Sequence, residues 1–80
     1  MKHIEILGPG CPRCKQLAEN AEKAVAELGL NARVEKVSDM KRILARGVIS
    51  TPGIAVDGVL KGSGKVYTVE DIKAMLTAES

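Results

Sequence analysis

Gly8-Pro9-Gly10-Cys11-Pro12-Arg13-Cys14-Lys15 is the stretch on which the fold turns. Ahead of it, His3 to Leu7 is a short apolar-rich run that the turn residues stop, so it reads as a strand. Behind it, Pro12 suits the first position of a helix. Leu17, Ala21, Ala24, Val25 and Leu28 recur at helical spacing, and Gly29 stands where a C-terminal cap belongs. A strand therefore passes through two cysteines directly into a helix.

Further along, Ala32 to Val37 alternates apolar and polar residues, the pattern of an edge strand. Ser38 or Asp39 can cap a short helix packed through Met40, Ile43 and Leu44 and closed by Gly47. After Thr51-Pro52 comes the apolar run Gly53 to Val56. Asp57-Gly58 is a strong two-residue hairpin signal, with Val59 to Lys61 as the return strand and Gly62-Ser63-Gly64 as a loop. Thr68, with Asp71 three residues on, caps a last helix whose buried face is Val69, Ile72, Met75 and Leu76. The order β-α-β-α-β-β-α predicts an α/β fold: a four-stranded mixed sheet, helices on both faces, His3–Leu7 and Gly53–Val56 central. The first two strands should be parallel and the last two antiparallel.

The 80 residues suit a single domain, residues 1–80. Hydrophobic residues make up 45% of the chain, with no Phe or Trp and only Tyr67 aromatic, so the core must be aliphatic. Met40 and Met75 are expected in it. The net charge of +2 is scattered, with no basic block interleaved with aromatics, which argues against nucleic acid. No apolar run approaches the roughly 18 residues of a membrane span, and the first residues do not resemble a signal segment. The expectation is a cytoplasmic monomer, in which two cysteines serve redox chemistry or a metal rather than a structural staple.

With Pro12 as the first helical residue, Cys11 is the N-cap and Cys14 lies in the first turn. The unpaired N–H groups and positive dipole end favour a thiolate on Cys11, and Arg13 and Lys15 add charge of the same sign. Each lowers the thiol pKa from about 8.5. The thiolate is the attacking species in disulfide exchange, so Cys11 is the candidate nucleophile and Cys14, a turn away, the resolving thiol. A structural disulfide across so small a ring would stabilise little. A metal site would need more ligands, and His3 is the single histidine.

Cys11-Pro12-Arg13-Cys14 after the first strand, together with Thr51-Pro52 before the third, resembles the thioredoxin–glutaredoxin superfamily. It is most similar to the very small, glutaredoxin-sized thioredoxin-like redox proteins of archaea and anaerobic bacteria, with their Gly-x-Gly-Cys-x-x-Cys motif. The resemblance implies a minimal thioredoxin-like fold and an electron-carrying thiol–disulfide oxidoreductase. It also implies protein disulfide substrates, a thioredoxin-reductase-type partner and no bound cofactor or metal. A cis bond at Thr51-Pro52 would place the Thr51 backbone against an extended substrate segment, with Pro12 and Arg13 also contacting substrate; the plainer alternative is a turn proline.

Gly10 stands where thioredoxins carry Trp. Glu5 has the spacing of their buried acid and so is a candidate proton acceptor for Cys14. The plainer reading puts Glu5 near a strand end, reaching water or a lysine. Gly62, Gly64, Thr68 and Asp71 fall where glutaredoxins hold glutathione, but such a loop also simply turns the chain, and glutathione is not expected. The rival from another class is a soft-metal chaperone, binding Cu(I) through the same two thiolates. Pro9 in place of its Met, and a helical rather than a strand C-terminus, argue against it. A docking domain that keeps the dithiol without turnover is a third reading.

Overall fold

The computed structural model describes residues 2–10 and 12–78. Its elements are β1 (Lys2–Leu7), α1 (Pro12–Leu28), β2 (Ala32–Val37), α2 (Met40–Ala45), β3 (Gly53–Val56), β4 (Val59–Ser63) and α3 (Val69–Ala78). The sheet order is β2-β1-β3-β4, with β1 parallel to β2 and antiparallel to β3, and β3 antiparallel to β4.

Local chemistry fixes the element ends. Gly29 turns at φ +65, and the amides of Gly29 and Leu30 donate to Ala26 and Val25, closing the last carbonyls of α1. Asp39 caps α2 by accepting from the Lys41 amide. Asp57 and Gly58 both take positive φ, the conformation of a two-residue hairpin turn. Thr68 and Asp71 cap α3 reciprocally, Asp71 N–H donating to Thr68 Oγ1 and Thr68 N–H to Asp71 Oδ2.

Alternation along β1 and β3 divides the interior in two. Ile4, Ile6, Ile54 and Val56 pack under α1 and α3 with Leu17, Ala18, Ala21, Ala24, Ile72 and Leu76. On the other face Leu7, Val37 and Ala55 meet Ile43 and Val48.

Two expectations need correction. Met40 and Leu44 are exposed, and α2 buries only Ile43. Strand β4 runs on to Ser63, because an irregularity between Ile54 and Ala55 lets the ladder continue to Gly53↔Ser63 instead of ending at Lys61. Met75, as expected, packs against the larger cluster.

Glu5 sits in the middle of β1 at 1% exposure, not near water. Its partners are arginines rather than a lysine: Arg42 Nη2 at 3.0 Å and Arg46 Nε at 2.9 Å. Arg42 also reaches Glu35 Oε2 at 3.4 Å, and His3 Nε2 lies 2.8 Å from Glu35 Oε1. The His3 hydrogen bond does most to hold the Glu35 carboxyl below its ordinary value of 4.5; Arg42 acts the same way, and partial burial opposes both.

Arg42 and Arg46 are 48% and 38% exposed at their side chains, so either can turn to water if its acid is removed, whereas Glu5 cannot. Replacing both arginines by alanine is expected to cost about 3–5 kcal/mol in urea unfolding at pH 7, and Glu5→Leu less than about 1 kcal/mol. Equal losses would contradict this asymmetry. A carboxyl lowered on folding stabilises above its unfolded value and loses that contribution as pH falls through the folded one. In an NMR titration, His3→Ala should therefore move the Glu35 transition up toward 4.5, and the share of the acid-side stability loss that Glu35 contributes should shrink.

Candidate functional site

The site lies at the C-terminal end of β1, where Gly8 N–H donates to the Val37 carbonyl at 2.9 Å and holds the departing chain against β2. Helix α1 begins at Pro12, with no acid in its first turn. Cys11, the candidate nucleophile, immediately precedes Pro12 in the chain and lies outside the described residues. Cys14, the candidate resolving thiol, is in the first turn of α1 and 5% exposed.

Gly8 packs so closely on Cys14 that a Cβ there would overlap the thiol sulfur, and the same Cβ would stand 3.8 Å from Pro52 Cα. The absence of a side chain at Gly8 thus lets the start of α1 and the start of β3 converge. The Thr51-Pro52 peptide is cis, Pro52 is buried and Thr51 half-buried. The Pro52 carbonyl accepts from Gly64 N–H at 2.9 Å, and Arg13 Nη2 donates to the Gly64 carbonyl at 3.4 Å. Cys14, Arg13, Thr51 and Pro52 are therefore brought to one end of the sheet, on strands and loops far apart in sequence.

Beside Cys14 a cleft of about 300 Å³ opens, lined by Ile6, Gly8, Pro9, Gly10, Lys15, Lys36 and Ser38. Sequence reasoning missed Gly8 as a packing requirement and Lys36 altogether. The available signal for Lys36 was the break it makes in the Ala32–Val34 apolar stripe.

Glu5 does not join this site. Gly8 and Cys14 stand on the side of β1 that carries Ile4 and Ile6, whereas Glu5 faces α2 and is bound by Arg42 and Arg46. The sheet separates it from Cys14, which removes the ground for a proton acceptor at Glu5.

His3 is also apart, five residues down β1 from Gly8, or about 16 Å at strand rise. His3, Glu5 and Glu35 bring ligand-type atoms within 4.8 Å of one another. Two guanidiniums already occupy the Glu5 oxygens, so the group does not suit a cation.

The glycines and polar residues considered for glutathione have local duties. Gly62 leaves room for the Tyr67 hydroxyl, and Thr68 and Asp71 cap α3. The described chain closes in helix α3, not in the strand that a metal-chaperone order requires.

The thioredoxin domain family matches the chain over residues 2–77. The chain belongs to the thioredoxin family. A thioredoxin of Methanothermobacter thermautotrophicus is 47% identical over 77 residues, covering 96% of this chain and all of that protein. One of Methanocaldococcus jannaschii is 49% identical over 73 residues, covering 91% of this chain and 84% of that protein. A probable thioredoxin, also of M. thermautotrophicus, is 32% identical over 66 residues, 78% of each chain. The chain is accordingly a thiol–disulfide oxidoreductase, with the α/β fold of that family. No helix among the described residues is long and apolar enough to cross a membrane.

Gly8→Ala forces Cys14 or the β1 end to move, an overpacking that typically costs about 1–3 kcal/mol. The expected result is a lower urea midpoint, with slower alkylation of Cys14 in the Cys11→Ser background or its acceleration by exposure. An alanine variant with wild-type stability and wild-type Cys14 reactivity would contradict the close contact.

Proposed function

We propose that the protein reduces protein disulfides by bimolecular exchange, with Cys11 as nucleophile and Cys14 as resolving thiol. The Cys11 thiolate attacks one sulfur of the substrate disulfide, forming a mixed disulfide and expelling the other substrate sulfur as a thiolate, which takes up a proton. Cys14 then loses its proton and attacks the Cys11 sulfur. A Cys11–Cys14 disulfide forms and the second substrate thiol departs. Two electrons pass from protein to substrate, and a thioredoxin-reductase-type partner returns two to restore the dithiol. A reducing compartment, the cytoplasm, suits that cycle.

The observation that carries this reading is Cys14 in the first turn of α1, packed on Gly8 with Pro52 alongside. The unpaired amides at the start of α1, with Arg13 and Lys15 following, favour a thiolate at the residue preceding Pro12. Thr51 precedes β3 at the same end, and in this reading its backbone meets an extended substrate segment that Pro12 and Arg13, at the start of α1, also contact.

Titration against dithiothreitol redox buffers, read by alkylation, is expected to give one reversible two-electron transition between about −180 and −300 mV. Cys11→Ser should abolish turnover, and Cys14→Ser should accumulate mixed disulfides with substrate. Full activity in Cys11→Ser, or no reversible Cys11–Cys14 disulfide, would overturn the reading.

A further inference from the structure

We propose that the cleft beside Cys14 is a subsite for an acidic side chain of the substrate polypeptide, held by Lys15 and Lys36; this rests on the exchange reading above. The cleft of about 300 Å³ has apolar walls from Ile6 and Pro9, open backbone at Gly8 and Gly10, the Ser38 hydroxyl, and two ammonium-bearing side chains. Such a mixture of apolar wall and a few convergent polar groups is the usual composition of a binding site.

Lys36 is placed there by register. It pairs with Ile6 across β1 and β2, on the face where Ala32 and Val34 pack against the core under α1. An apolar residue at position 36 would continue that stripe. A lysine instead projects its charge beyond the core, into the space ahead of α1. Lys15 enters from the first turn of α1, so two unconnected elements direct like charges to one opening.

Two like charges facing one cleft repel each other, and neither Lys15 nor Lys36 is paired with an acid among the described residues. Four other basic side chains are paired with acids: Lys2 with Asp57, Arg42 and Arg46 with Glu5, and Lys73 with Glu27 and Glu70. At this end Arg13 is engaged with a carbonyl and Lys65 lies over the Tyr67 ring, again without an acid. A carboxylate entering the cleft relieves the repulsion between Lys15 and Lys36. The flanking geometry also sets where it belongs. Lys36 is on β2 and Pro52 leads into β3, on opposite sides of β1. The acidic residue therefore sits on the side of the reacting half-cystine away from the segment that meets Thr51.

The test is single-turnover reduction of three disulfide peptides, identical except for Glu, Gln or Lys flanking the reactive cysteine, followed by acid quench and chromatography. Any effect of the lysines on the thiol itself falls on all three peptides and cancels in their ratio. At low salt the Glu peptide is expected to react about five- to tenfold faster than the Lys peptide, with the ratio shrinking toward one in about 0.5 M salt. Lys36→Glu should bring the ratio to one or invert it, and Lys15→Glu should act in the same direction.

Rates within twofold for all three peptides, or a Glu preference unmoved by both reversals, would overturn the subsite and leave the exchange reading standing. Absence of reduction of every peptide, with no reversible Cys11–Cys14 disulfide, would instead overturn the exchange reading itself.

Discussion

A carboxylate buried in the central strand is the constraint from which much of this molecule follows. Glu5 is enclosed between β2 and β3, and an ion without water must be answered by opposite charge and hydrogen bonds. Arg42 and Arg46, one helical turn apart, supply both. They give α2 a reason to lie where it does. Six residues with a single buried side chain would not form a stable helix alone. Once α2 is clamped to the sheet, Ile43 and Val48 close the smaller core with Leu7, Val37 and Ala55. Val48 packs close to Gly53, and so the chain between them is led to Pro52 and to its place beside Gly8. An electrostatic requirement on one face of the sheet thus helps to position a component of the site at its end.

This division explains what the sequence made legible. Features written in a few adjacent residues were readable: the Asp57-Gly58 hairpin, the Gly29 cap, the Thr68–Asp71 box and the strand-to-helix passage around Cys11-Pro12-Arg13-Cys14. The central placing of the two apolar strands was readable for the same reason, since burial on both faces leaves its mark on composition. The face of α2 was not readable. Met40, Ile43 and Leu44 form an apolar stripe, yet the helix turns Arg42 and Arg46 inward and leaves Met40 and Leu44 outside. Helical periodicity assigns an arginine to the water-facing side; only the otherwise unmatched charge of Glu5, in another element, turns these guanidiniums to the sheet. Position 62 failed for a similar reason, because its extension of β4 depends on an irregularity opposite Ile54 that no local signal announces.

The two faces of β1 also separate tasks that a single acid at position 5 would have joined. Ile4, Ile6 and Gly8 face α1, and Cys14 rests against that surface; Glu5 and Leu7 face α2. In the proposed exchange the resolving thiol must shed a proton, and a carboxylate committed to two guanidiniums across the sheet is not placed to take it. Cys14 instead borders a cleft large enough to admit water, with the positive charges of Lys15 and Lys36 at its edge. Positive charge near a sulfur favours its anionic form, so the same side chains that would receive an acidic substrate also ease the departure of that proton. Once an acidic group enters, it offsets part of that field. Binding and deprotonation then draw on the same two charges, which favours a substrate that contacts them loosely and leaves soon after its disulfide opens.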